Sequence, residues 1–246
     1  MTAEIVQGAA TPQIVDRQTW SRARDALLAR EKAHTREGDA IAAARRRLPM
    51  TLVPTVTVQG PGGDTSLVDV FEGRRQLIVY YHMWHDGQPW ENQCEGCTFA
   101  TCHMDMLDYL HARDVTYAVF CEGTYAESAP FAEFMGYRFP WYSARDADPV
   151  LLDGRGFGMI ACYLRDDADQ VYETYWTTDR GCEALTTSYH ALDLTVYGRQ
   201  ERWEDSPEGW PRIDGHQWRV DGRPTAQWSR PGVAPTGSAA SCCAGH

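Results

Sequence analysis

Leu77-Ile78-Val79-Tyr80-Tyr81 and, beyond a polar loop from Asp86 to Gln93, Cys94-Glu95-Gly96-Cys97 are the two pieces on which this chain's reading turns. The first is a continuous apolar run of strand length, extending to Trp84 and suited to the centre of a sheet. The second precedes a stretch from about Thr98 to His111 that reads as a helix. A C-x-x-C pair between a buried strand and a helix start points to a thiol–disulfide site, because a helix N-terminus stabilises a thiolate. His82, His85, Cys102 and His103 lie within a few residues. Such a mixture of nitrogen and sulfur donors also suits a soft metal.

Working outward, Leu52 to Val58 reads as a strand, Gly60 to Asp64 as a turn and Ser66 to Phe71 as a helical turn. On the other side, Val115 to Cys121 is a second apolar strand. Tyr125 to Met135 follows as a helix with Pro130 in its first turn, ended by Gly136, and Tyr137 to Tyr142 as a third strand. Phe157 to Leu164 and Val171 to Thr177 flank the turn-like Asp166-Asp167-Ala168-Asp169 as a hairpin, and Leu185 to Leu194 makes a last helix. Strand–helix–strand–helix followed by a hairpin and a helix implies an α/β fold with a mixed central sheet flanked by helices, the thioredoxin arrangement.

The ends are different in character. Residues 1–50 read as a loose arm and a helical extension, in which Asp16 caps a helix running towards Arg47. Its stripe of Trp20, Ala23, Leu27, Leu28 and Ile41 suits packing on the main domain or on a second copy. Gly38-Asp39 is a break point and Pro49 a stop. Residues 51–199 form the thioredoxin-like domain. Residues 200–228, with Trp203, Trp210, Trp218 and Trp228, are expected to wrap over it with their tryptophans in grooves. Residues 229–246 read as a flexible tail that includes Cys242, Cys243 and His246.

Composition sets the outer limits. The 246 residues are 43% hydrophobic, enough for one good core and an appended lobe. A net charge of -11 argues against nucleic acid, whose binding leans on Lys and Arg. No apolar segment approaches the roughly 20 residues that span a bilayer, and the start lacks a secretory pattern. The expectation is a cytoplasmic protein with no membrane partner, where thiols stay reduced. The eight cysteines therefore do not imply four structural disulfides, and a C-x-x-C is catalytic or metal-binding.

The chain resembles the DUF899 family of thioredoxin-like, predicted dithiol-disulfide oxidoreductases. The similarity runs from about Asp16 to Arg212. It includes Trp20 to Pro49, Gln76-Leu77-Ile78-Val79-Tyr80, the Cys94-to-Cys97 pair and Arg138-Phe139-Pro140-Trp141. It also includes Tyr163 to Asp167 and Tyr189-His190-Ala191-Leu192-Asp193-Leu194-Thr195. The resemblance implies a thioredoxin-like fold and a thiol or disulfide substrate, protein or small molecule. A peroxiredoxin would carry Thr or Ser and then Cys at fixed offsets after a proline. After Pro89 those offsets hold Gln93 and Gly96.

Two site readings compete. As a redox pair needing no cofactor, Cys94 attacks and Cys97 resolves, with Glu95 opposing the Cys94 thiolate and Pro140 a candidate cis-proline facing the pair, in competition with Pro149. As a metal site, His82-x-x-His85 joins Cys94 and Cys97, with His103 in reserve. A closed set suits zinc, and an open position suits copper or catalytic zinc. Cys121 and Cys162 read as structural, Cys182 as structural ahead of a reactive thiol at a helix start, and Cys102 as packed or as a third thiol. Arg138 and Arg155 are expected to pair with acids. Self-association through the N-terminal helix is the expected oligomer route.

Overall fold

The computed structural model describes residues 10–213, 219–220 and 223–229. These fall into two compact units, one made by 10–49 with 192–213 and the other by 50–191 with the described residues from 219 on. In the first unit, α1 (Arg17–Arg45) begins where the Asp16 carboxylate accepts the Thr19 N–H at 2.9 Å. It runs through Gly38-Asp39 without the expected break. An interior glycine costs only about 1 kcal/mol against alanine. The apolar stripe is not buried, and Trp20 and Leu27 are about half exposed. Trp210 packs edge-on against Tyr197 at 5.5 Å, and Arg199 is held by a bidentate pair with Asp193.

The second unit contains the sheet. In chain order it has β1 (Thr51–Leu52), β2 (Thr57–Gly60), β3 (Gly63–Ser66), α2 (Leu67–Val70), β4 (Gln76–His82), α3 (Glu95–Cys102), α4 (Asp108–His111), β5 (Val115–Cys121) and α5 (Tyr125–Met135). It continues with β6 (Trp141–Ser143), α6 (Asp148–Leu151), β7 (Met159–Arg165), β8 (Val171–Thr178) and α7 (Thr187–Leu192), whose last residue falls in the first unit. A short pair, β9 (Arg219–Val220) and β10 (Arg223–Pro224), follows. Eight strands order as β1-β8-β7-β4-β5-β6-β2-β3. β4, β5 and β6 are parallel neighbours, and β7 lies antiparallel to β4. This is the thioredoxin-like mixed sheet read from the element order.

Three local expectations change. Leu52 to Val58 is not one strand: Pro54 lacks the ladder donor and separates β1 from β2. Pro130 sits in the middle of α5 rather than in its first turn. The helix after the cysteines stops at Cys102 and does not reach His111 as a single piece. There the Cys102 Sγ and the His103 Nδ1 both donate to the Phe99 carbonyl, at 3.1 and 2.6 Å. That carbonyl is the one a continuing helix would give to the His103 N–H, so the side chains compete the next turn away.

Strand alternation divides the core in two. Leu77, Val79 and Tyr81 of β4 face one layer with Phe71, Phe120, Met159 and Ala161, covered by α2 and α6. Tyr80 faces the other with Tyr117, Val119, Cys121 and Ile160, under α3 and α5, and His82 packs on Phe131 and Trp141 of that layer. The cysteine pair belongs to this second layer.

Candidate functional site

The loop between β4 and α3 is positioned from within by Gln93, which is wholly buried. Its Oε1 accepts the His85 N–H at 2.8 Å, and its Nε2 donates to the carbonyls of His85 and Gln88 at 2.9 and 3.0 Å. Glu122 accepts the Trp84 N–H, and Glu127 the Gly87 N–H. Gln227 donates to the Trp90 carbonyl at 3.0 Å. The chain therefore arrives at Cys94 along a fixed path.

Cys94 is the N-cap of α3, and its Sγ accepts the Cys97 N–H at 3.4 Å. The half-buried Cys94 thiol is held down to about 7. Its hydrogen bond with the Cys97 side chain contributes most, and the N–H groups of Cys97 and Gly96 add to it. Burial and the Glu95 charge oppose, and lose. Cys97 is buried and its thiol is pushed well above the ordinary value, first by burial and then by Cys94. Its sulfur accepts the Met83 N–H at 3.4 Å, and the neighbouring Tyr80 hydroxyl works against the rise. Both thiols are free.

The structure gathers some of the expected residues and separates others. His82 is fully buried among Trp141, Phe131 and Trp84, with ring centroids at 5.2, 6.0 and 6.4 Å. Its Nδ1 donates to the Met83 carbonyl at 2.7 Å, its Nε2 has no partner among the described residues, and burial pushes it down to about 4. It is a neutral imidazole at ordinary pH. His85 is exposed. His103 uses Nδ1 on the Phe99 carbonyl, and its Nε2 accepts from Ser188 Oγ at 2.6 Å. Among the described residues, no three His, Cys, Asp or Glu side chains group so as to hold a metal. Pro140 lines a separate cavity of about 450 Å³ with Tyr125 and Arg138, and its peptide bond is trans, as are all those of the described residues, so the cis-proline expectation for Pro140 is not met.

The remaining cysteines behave as small buried groups: Cys121 is raised to about 12 and Cys182 to about 11, burial leading in each case. Cys162 and Cys102 are half-buried. Arg155 pairs with Glu173 at 2.7 Å and Arg138 with Asp105 at 3.4 Å, as expected. Cys242, Cys243, His246 and Trp218 lie outside the described residues. Met83 was missed. Its thioether lies 3.9 Å from Cys94 Sγ, and its place just past the end of β4 was the available signal. Tyr80 was also missed as a partner of Cys97. Its inward face followed from strand alternation, but its contact needed α3 in place.

No helix among the described residues is long and apolar enough to cross a membrane. No curated protein matches the chain. Solved structures similar to it include the peroxidoxin BcpB from Mycobacterium tuberculosis, at 15% identity and a TM-score of 0.39, covering 59% of this chain and 97% of that one. A putative thiol:disulfide interchange protein DsbE from Chlorobium tepidum matches at 16% identity and a TM-score of 0.37, covering 58% and 95%. BsSco, a member of the Sco family of cytochrome c oxidase assembly proteins, matches at 12% identity and a TM-score of 0.34, covering 52% and 86%. Likenesses this distant carry no argument about activity. DUF899, described as a bacterial protein of unknown function, matches residues 9–219, and the chain belongs to that family.

Proposed function

We propose that this DUF899 protein is a thiol–disulfide oxidoreductase, with Cys94 the attacking thiolate and Cys97 the resolving thiol. The observation that carries the reading is the asymmetry of the pair. Cys94 caps α3 and is held near 7, while Cys97 is buried and raised. A substantial thiolate fraction near neutral pH, with nucleophilicity retained, is what exchange requires. Cys94 attacks a substrate disulfide and expels one half as a thiolate, which takes a proton. Cys97 then attacks the mixed disulfide, releasing the second half and leaving a Cys94–Cys97 bond. Two electrons pass from the dithiol to the substrate, and an external thiol restores the pair.

The test has two arms. Cys97→Ser is expected to accumulate a mixed disulfide at Cys94, seen as an adduct by mass spectrometry. Cys94→Ser is expected to lose disulfide reduction by about 10³-fold or more. A wild-type rate in Cys94→Ser removes the proposal.

A metal reading has one observation in its favour. Met83 Sδ stands 3.9 Å from Cys94 Sγ, and Cys94 in turn hydrogen-bonds the Cys97 thiol, so Cys94 has a soft sulfur on either side. Such donors favour copper(I) over zinc, with His82, His85 or His103 the nitrogen candidates. Competition against a copper(I) chelator tests it: Met83→Leu is expected to weaken binding about tenfold or more, and chelator-limited binding by wild type ends the reading. A cytoplasmic site of action, without a nucleic-acid partner, rests on the thiol content and the -11 charge. Self-association through α1 rests on that helix having no buried residue, and sedimentation of an α1 charge-substituted variant tests it.

A further inference from the structure

A groove of about 330 Å³ runs beside the cysteine pair. Gly96, the residue preceding Cys97, forms part of its wall. Tyr80, Phe99 and Tyr189 supply aromatic sides, with the Phe99 and Tyr189 rings 4.7 Å apart. Tyr80 also acts electrostatically on the Cys97 thiol, so one wall of the groove neighbours the second thiol. Gly158 closes another side, at φ 88°. A Cβ there would stand 3.3 Å from Met83 Sδ, which is itself 3.9 Å from Cys94 Sγ. Cys182 is the cysteine that lines the groove itself, and the groove adjoins Cys94 and Cys97 through Gly96, which stands between them in the chain. The groove's volume is that of a small-molecule site.

Charge narrows the occupant. The lining carries Asp179 and Glu183, and Glu95 lies next to Gly96. The cation of the lining, Arg180, pairs with Glu183 at 3.0 Å. An anionic thiol compound meets repulsion there, whereas an uncharged aromatic one gains apolar contact at little electrostatic cost.

We propose that this groove seats a small uncharged disulfide carrying an aromatic or branched aliphatic group, with one of its sulfurs presented to Cys94. The proposal rests on the thiol–disulfide reading above and deepens it. The Cys94 thiolate attacks the near sulfur, and the ligand's S–S bond breaks as the far half leaves and takes a proton. Cys97 displaces the near half, so that two electrons reach the ligand and the Cys94–Cys97 disulfide forms.

Single-turnover mixing of the reduced full chain with three probes tests this, using Cys94→Ser as the blank. The probes are 2,2'-dipyridyl disulfide (uncharged, aromatic), bis(2-hydroxyethyl) disulfide (uncharged, hydrophilic) and 5,5'-dithiobis(2-nitrobenzoate) (aromatic, dianionic). The rate is expected to saturate with dipyridyl disulfide at a concentration about tenfold lower than with either other probe. Phe99→Ala is expected to shrink the preference for dipyridyl over hydroxyethyl disulfide by about tenfold. Asp179→Asn with Glu183→Gln removes both lining carboxylates, Glu183 being also the ion-pair partner of Arg180, and asparagine accepts the positive φ of 49° at position 179. This double variant is expected to lower the half-saturation for the dianionic probe by about threefold or more, and it decides the matter if Phe99→Ala does not fold. Equal half-saturation for all three probes, or a dianion value unmoved by the double variant, overturns the groove proposal and leaves the redox reading standing. No reaction faster than the Cys94→Ser blank removes the redox reading itself, and the groove proposal with it.

Discussion

The two faces of the central sheet are made from the same strands, yet they differ in chemistry. The face of Leu77, Val79 and Tyr81 is apolar, and its buried hydroxyls satisfy each other, Tyr81 against Tyr163 at 2.5 Å. The face of Tyr80 and His82 holds the cysteine pair. It also carries buried polar atoms with no hydrogen-bond partner among the described residues, His82 Nε2, Trp84 Nε1 and Tyr117 Oη. A buried polar atom left unpaired costs about 1–3 kcal/mol. One face is thus arranged for stability, and the other tolerates unsatisfied groups around its thiols.

That contrast can be broken or sharpened by measurement. The largest effect should be in thiol reactivity. Cys94 is held near 7 and Cys121 is raised to about 12. Alkylation at pH 7 should therefore be about 10²–10³-fold faster at Cys94, after allowing for the lower nucleophilicity of the more acidic thiol. The rate should rise with pH through a midpoint of about 7, because the thiolate is the reactive form. Peptide mapping after limited iodoacetamide treatment reads both. Comparable labelling at Cys121 would show that the chemical face is not closed away from its open end.

On the apolar face, Phe71→Ala should cost about 3–5 kcal/mol in denaturant unfolding, by opening a cavity around a side chain with no exposure. Alkylation kinetics at Cys94 should stay unchanged wherever the variant is folded. A changed Cys94 midpoint would mean that the faces are coupled. Next comes a pH effect from the other face. Burial pushes His82 down to about 4 from its ordinary 6.5. As pH falls through 6.5 the unfolded chain takes up a proton that the folded chain refuses until about 4, so stability is lost between those values. The loss is about 3 kcal/mol, and the difference between wild type and His82→Phe, followed from pH 7 to 4, isolates it. A flat difference would place His82 in a wetter site than the one described. The smallest effect, about 1–2 kcal/mol, is expected for Tyr81→Phe, which leaves the Tyr163 hydroxyl without its partner.

Much of the architecture was legible in residue order. The apolar runs at Gln76–His82 and Val115–Cys121 are strands, and Tyr125–Met135 is a helix ended by Gly136 in the left-handed conformation. Fully buried parallel strands carry a continuous apolar signal that needs no tertiary information. The helix break after Cys102 was not legible. It depends on two side chains reaching back to the Phe99 carbonyl, and that competition has no signature in hydrophobic periodicity. Pro140 reads in the sequence as a candidate cis-proline facing the pair, yet just ahead of β6 it lines another cavity.

The sequence alone determined that Cys94 and Cys97 stand at a helix start beyond a buried strand, because strand, loop and helix are consecutive and locally encoded. It also determined that Glu95 would oppose the thiolate. Only the tertiary structure decided that hydrogen bonds outweigh that charge, since the balance depends on where Cys97 lies relative to Cys94. The same holds for the surroundings. Met83 and Tyr80 come from β4, Gly158 precedes β7, and Phe99 and Tyr189 sit far apart in the chain. What assembles them is the pairing of β4 with β7 and the packing of α3 over the sheet, long-range contacts that no local pattern records.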